Sequence, residues 1–247
     1  MLNIITKEVP IDEELQSKIQ FICDFCNVKP IFINGSIRKI EKTNISTKKS
    51  IRGIRELGVS LIHEDRMTYG VSTNQSIKEN ILADRYYKKE YKQHGLLNLK
   101  KASTDSEELI SDFTIKCDNK NSLVKTLSGG NIQKVVAARE FTSHPIFLLA
   151  CQPTRGIDIG AAELIRNKMM ELRDKEKTAV LLFSADLSEL LSVSDSIIVM
   201  CKGQIVAYFA DVKNLTETEL GEYMLGLKKQ TDEEIGGVLY EWVYKKT

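Results

Sequence analysis

Two short apolar runs bracket an amphipathic stretch, and that arrangement narrows the possible folds more than any other feature of the chain. Pro145-Ile-Phe-Leu-Leu-Ala150 is an unbroken apolar segment closed by Pro153, and Thr178-Ala-Val-Leu-Leu-Phe-Ser184 is a second one. Each has the length and composition of a strand covered on both faces. Between them, Ala161–Lys175 sets Leu164, Ile165, Met169 and Leu172 on one side and charges on the other, the pattern of an amphipathic helix. Strand, helix, strand in that order predicts parallel pairing with helices on the sheet faces. Asp186–Val193 reads as a further short helix, and Ser196–Cys201 with Ile205–Phe209 flank Lys202-Gly-Gln204 as a hairpin. Thr216-x-x-Glu219 is a capping box opening a last helix through Leu227.

Charge removes several function classes. The 247 residues carry 35 Lys+Arg against 34 Asp+Glu, a formal net charge of +1. No global field draws the chain to nucleic acid or to an anionic membrane. Its longest apolar runs, such as Ile146–Cys151, reach about six residues, against the roughly 20 that a bilayer requires. Met1–Pro10 shows no cationic start followed by a long apolar stretch, so no secretory leader is expected and a cytosolic chain is. The five cysteines are odd in number and scattered, which is not a disulfide framework. Cys23-Asp-Phe-Cys26 is a C-x-x-C pair, but the three histidines, His63, His94 and His144, lie far apart and supply no further zinc ligands. Leu15, Ile19, Ile22 and Cys26 recur at helical spacing, so both thiols read as members of a helix face. No metal site is expected.

From Ile77 to Lys125 the texture changes. Ser76–Tyr87 reads as helical, and Thr104-x-x-Glu107 opens another helix through Phe113. Lys88–Lys101 between them holds five lysines, one glutamate and Tyr91. Lysines interleaved with an aromatic can contact nucleic acid, but a single run on a neutral chain reads as a solvated loop, and no nucleic-acid partner is expected.

The chemistry-bearing segment is Leu127-Ser-Gly-Gly-Asn-Ile-Gln-Lys134, which runs directly into Val135-Val-Ala-Ala-Arg-Glu140. The glycine pair allows close backbone approach. The residues after it suit a helix, so Gly129, Gly130 and Asn131 would present free amides at a helix N-terminus, where the dipole favours phosphate. Ser128, Gln133 and Lys134 flank those amides and complete the candidate nucleotide-facing set.

The order of this segment, the strand at 146–150, Cys151-Gln-Pro-Thr-Arg-Gly-Ile-Asp158, Leu181-Leu-Phe-Ser-Ala-Asp186 and the hairpin after Asp195 resembles the ATP-binding-cassette (ABC) family of transport ATPases. Glu64-Asp-Arg66 with Tyr69-Gly70, Ser76-Ile-Lys-Glu-Asn-Ile81 and Gln152-Pro-Thr-Arg-Gly-Ile-Asp-Ile-Gly160 narrow the resemblance to the second nucleotide-binding half of ribose, galactoside and nucleoside importers, over Gln16–Leu227. It implies an α/β, P-loop-NTPase-like cassette over 1–230 with a parallel sheet core, a helical subdomain over about 76–125 and a tail over 231–247. It also implies ATP and Mg²⁺ as ligands, a second cassette and transmembrane permease subunits as partners, and a cytoplasmic position against the inner face of the membrane. In this family two cassettes pack head to tail, the signature motif of one closing over nucleotide held by the P-loop of the other.

Several positions depart from the family. No G-x-x-x-x-G-K-[ST] string exists. Gln16-Ser17 resembles the end of a P-loop, but Pro10-Ile-Asp-Glu-Glu-Leu15 stands where glycines belong, and its acids repel a triphosphate. The strand expected before it shrinks to Ile4–Val9. After strand 146–150 the family's Asp-Glu is replaced by Cys151 and Gln152, neither a carboxylate, and the histidine after the switch serine is replaced by Ala185. The expectation is therefore a degenerate hydrolytic site at Cys151, Gln152 and Ala185, with no nucleotide held by this chain alone. The signature residues Ser128, Gly129, Gly130, Asn131, Gln133 and Lys134 would meet ATP held chiefly by a partner cassette. Arg155 and Asp158 are candidate interface residues or staples of the turn after Pro153. Glu64, Asp65 and Arg66 are candidates for a partner-facing coupling surface or a structural role. The rival readings are an active ATP-hydrolysing transport ATPase and a truncated or decaying cassette. A chromosome-maintenance ATPase is set aside because no long heptad segment is present.

Overall fold

A computed structural model describes residues 2–5, 50–93, 95–202 and 204–235. The elements, in chain order, are β1 (Leu2–Ile5), α1 (Ile51–Glu56), β2 (Val59–Ile62), a π-helical turn (Arg66–Gly70), α2 (Ile77–Leu82), the short strands β3 (Lys92–Gln93) and β4 (Leu96–Leu97), α3 (Leu99–Asp112), α4 (Gly129–Phe141), β5 (Phe147–Cys151) and α5 (Ile159–Lys175). They continue with β6 (Ala179–Phe183), α6 (Leu187–Val193), β7 (Ser196–Cys201), β8 (Gln204–Phe209), α7 (Glu217–Met224) and α8 (Asp232–Ile235). The chain divides into two compact units, residues 58–178 and residues 1–57 with 179–247.

In the unit 58–178, β2 and β5 pair in parallel, Val59 with Phe147 through Ile62 with Ala150. Leu148 and Ala150 are completely buried, as a strand covered on both faces requires. Gly58 makes the entry to β2 possible: its φ is +79°, and a Cβ there would stand 2.8 Å from Ile146 Cγ1. Helix α4 is buried over nearly its whole length, and Val135-Val-Ala-Ala138 lets neighbours approach closely because those side chains are small or β-branched. Two buried arginines knit the unit. Arg139 Nε meets Glu140 Oε1 at 2.9 Å and its Nη2 donates to Gly70 O at 2.7 Å. Arg85 Nε meets Asp84 Oδ1 at 2.8 Å and its Nη2 donates to Arg139 O at 2.7 Å.

In the other unit, β1 pairs antiparallel with both β6 and β7, and β7 pairs antiparallel with β8. Of the strand pairs described inside each unit, β2–β5 is parallel, and β1–β6, β1–β7, β7–β8 and β3–β4 are antiparallel. A hairpin as tight as that at Lys202, whose φ is +50°, can only join antiparallel strands. Helix α6 starts at the Asp186 cap, whose carboxylate accepts from Glu189 N at 3.0 Å, and α7 at the expected Thr216 cap.

Three expectations in the middle of the chain are corrected. The helix expected over Ser76–Tyr87 ends at Leu82. Its capping box is present, Ser76 and Glu79 exchanging hydrogen bonds, but beyond Leu82 the chain tightens into turns that bury Asp84 and Arg85 as an ion pair. The next helix starts at Leu99, not Thr104, because the Asn98 side chain accepts from Lys101 N at 3.0 Å and caps it well before Thr104. The stretch Lys88–Lys101 is not a plain solvated loop. It carries the β3–β4 ribbon, and Tyr91 is buried with its hydroxyl donating to Asp105. The strand expected at Ile4–Val9 is found at Leu2–Ile5. The P-loop remnant at Pro10–Ser17 and the pair Cys23 and Cys26 lie outside the described residues.

Candidate functional site

Everything that bears on a phosphate-facing site within the unit 58–178 gathers at the N-terminus of α4. Ser128 has the extended backbone of an N-cap, φ −67° and ψ 158°, and its Oγ accepts from Asn131 N at 3.4 Å and from Asn131 Nδ2 at 2.9 Å. Asn131 Oδ1 in turn accepts from Lys116 N at 2.8 Å. The Asn131 side chain therefore fixes the helix start to the preceding loop. The amides of Gly129 and Gly130 donate to no group among the described residues, as the first donors of a helix do.

The two glycines face different neighbours. A Cβ on Gly129 would stand 3.2 Å from Arg66 Nη2 and 3.7 Å from Gly156 O. A Cβ on Gly130 would stand 2.7 Å from Asp158 Oδ2. Asp158 is the N-cap of α5, its Oδ1 accepting from Ala161 N at 2.9 Å. That amide bond, aided by the cations Lys134 and Lys116, holds the Asp158 carboxyl below its ordinary range. One carboxylate thus caps α5 and lies close against the first turn of α4.

The turn before α5 is held from below and from the side. Gln133 is 1% exposed, and its Nε2 donates to Pro153 O at 2.6 Å. The Gln133 side chain, expected among the nucleotide-facing residues, is turned into the unit and supports the turn. Lys134 Nζ donates to Thr114 O at 3.1 Å and to Thr114 Oγ1 at 3.2 Å, and so is also engaged at home. Arg66 Nη1 donates to Arg155 O at 2.8 Å and Nη2 to Gly156 O at 3.3 Å. Glu64 forms an ion pair with Arg155. Asp65 caps the π-helical turn, accepting from Met67 N and Thr68 N at 3.1 Å each; hydrogen bonds from Thr68 lower its carboxyl below the usual range. Glu64 and Arg66 grip residues 155–156, a contact that the sequence around them does not foreshadow. No pattern within the chain could have supplied it, since the partners lie 89 to 91 positions apart.

At the end of β5 the donors are a thiol and an amide. Cys151 and Gln152 are both half-buried, and Gln152 has φ +50°, a left-handed conformation that costs an ordinary residue roughly 1 kcal/mol. A divalent magnesium ion takes hard oxygen ligands, carboxylates above all. The Cys151–Gln152 end does not fit one, and no group of three or more His, Cys, Asp or Glu side chains among the described residues is placed to hold a metal. Ala185, in the other unit, is exposed, and beside it Asp186 N donates to Ser184 Oγ at 3.0 Å.

No profile of a known protein family matches the chain. Its relatives do. It is 39% identical over 185 residues to the guanosine import ATP-binding protein NupO of Bacillus subtilis, which is 75% of this chain and 35% of NupO. It is 37% identical over 193 residues to the nucleoside import ATP-binding protein NupA of Lactococcus lactis, 78% of this chain and 37% of NupA. The ribose import ATP-binding protein RbsA of Lactococcus lactis is 35% identical over 177 residues. The chain belongs to the ATP-binding-cassette family. It spans about a third of the length of these curated relatives. The cassette fold is matched independently: the ATP-binding cassette MJ0796, solved as a dimer in a post-hydrolysis state with ADP and Pi, superposes with a TM-score of 0.59 at 16% identity, covering 87% of this chain and 100% of that one. Among the described residues no helix is long and apolar enough to cross a membrane.

Proposed function

We propose that this chain is a cassette subunit of a sugar or nucleoside importer that does not hydrolyse ATP itself but offers its signature helix to ATP held by a second, competent cassette. The observation that carries this reading is the contrast between two ends of one unit. The start of α4 keeps Gly129 and Gly130 amides that donate to no group among the described residues, at a helix N-terminus held to the preceding loop by Asn131, while the end of β5 carries Cys151 and Gln152 and no carboxylate. A helix start of this kind stabilises phosphate charge through its dipole and free N–H groups, and one well-placed donor to developing charge contributes about 3 kcal/mol. Gln152 can orient a water but cannot take its proton.

The subunit would match the second nucleotide-binding half of the importers named above, bind ATP and Mg²⁺ chiefly through its partner's residues, and reach the inner face of the membrane only through permease subunits. Ser128, Gly129, Gly130 and Asn131 would face the partner's triphosphate, and Arg155 and Asp158 would lie beside the shared interface. Domain boundaries at 1–230 for the cassette and about 76–125 for its helical lobe accompany the proposal.

The test is ATP turnover by a reconstituted complex of this chain, a competent cassette and the membrane subunits. Ser128→Ala should lower turnover at least about tenfold. Unchanged turnover would end the proposal.

A further inference from the structure

Arg66 is surrounded by atoms that an ordinary surface arginine does not meet. Its two terminal nitrogens donate to consecutive carbonyls, Arg155 O at 2.8 Å and Gly156 O at 3.3 Å. Its Nε is buried and has no hydrogen-bond partner among the described residues. Its Nη2 also lies 3.2 Å from the point where Gly129 would carry a Cβ. A guanidinium placed against the positive end of α4 is electrostatically unfavourable by itself; the two carbonyls offset that cost. The result is one planar group wedged between the turn 155–156 and the first residue of the signature helix.

Resting on the function proposed above, we infer that Arg66 is a positioning residue: it sets the spacing between the Arg155–Gly156 turn and the Gly129–Gly130 amides, so that both meet a partner's nucleotide in one fixed arrangement. The Glu64–Arg155 ion pair holds the same turn from its other side. Because Glu64 and Arg155 are both more than half exposed, that pair is screened by water and adds little. The two carbonyl bonds from Arg66 do the holding. Lysine cannot replace them, since a single ammonium has no planar fork to span two consecutive carbonyls.

The experiment is a double-mutant cycle in the same reconstituted complex, with each variant in saturating excess and its fold checked by thermal unfolding. Arg66→Lys should lower turnover about tenfold while leaving a cooperative melt. The cycle with Ser128→Ala should be strongly non-additive, the double variant turning over no more slowly than the worse single variant, because both changes act on one helix start. A merely structural Arg66 gives additive losses that track the unfolded fraction. Additive losses, or an Arg66→Lys complex as active as wild type, overturn the inference while Ser128→Ala still lowers turnover. Should Arg66→Lys not fold, Arg66→Gln, which keeps a planar donor, takes its place in the cycle with the same criteria. If Ser128→Ala itself has no effect, the underlying functional reading fails, and the inference with it.

Discussion

At the scale of single residues, the account turns on how little room surrounds the glycine pair. Gly130 sits in a helix, where alanine is favoured by about 1 kcal/mol. Its new methyl would displace the Asp158 carboxylate from 2.7 Å and disturb the cap of α5, a loss of similar size. The two effects nearly cancel. Gly130→Ala should therefore leave unfolding free energy within about 1 kcal/mol of wild type by urea titration, yet reduce turnover in the reconstituted complex. A variant that melts far below wild type would show that Asp158 cannot move aside. Close by, the Gln133 amide nitrogen is engaged inside the unit by Pro153 O.

At the scale of elements, the buried arginines bind α4 to its surroundings. Glu140 is completely buried; it pairs with Arg139 and accepts from Leu61 N at 3.3 Å. Arg139→Met would leave that carboxylate buried without its guanidinium, a change that costs about 3–5 kcal/mol. The urea midpoint should fall accordingly with the slope unchanged; a shift under 1 kcal/mol would contradict the assignment. Element identity was largely legible in the sequence where periodicity was long or runs were purely apolar: β5, α5, β6 and the hairpin of β7 and β8 stand within one or two residues of their expected positions. The start of α4 was legible too, as glycines followed by a helix-compatible run. The lobe between them was not. Thr104-x-x-Glu107 has the spacing of a cap, but Asn98 caps first. The Lys88–Lys101 stretch hides a buried tyrosine because its anchor, Asp105, lies a full turn into the next helix. Contacts closed by distant partners leave no local period to read.

At the scale of the whole molecule, several carboxylates are held low by native hydrogen bonds and cations. Thr68 does this for Asp65, the Ser76 hydroxyl for Glu79, the Ala161 amide for Asp158, Lys168 for Glu171 and the Lys213 amide for Asp211. A folded value below the unfolded one stabilises the native state at every pH above the unfolded value, and that contribution disappears as pH falls through the folded value. Melting temperature should be flat from about pH 7 to 5 and fall below about pH 4.5. Glu79→Gln, which keeps a residue able to complete the capping box, should shallow that acid limb. An acid limb unchanged by the substitution would remove Glu79 from the set.

The central claim, that this chain completes another cassette's ATP site without working its own, is tested most directly by titrating it into a fixed amount of competent cassette and membrane subunits while following phosphate release. The account predicts stimulation that saturates at one chain per competent cassette, with no release from this chain alone. Phosphate release by the isolated chain, or no stimulation at any ratio, would contradict it.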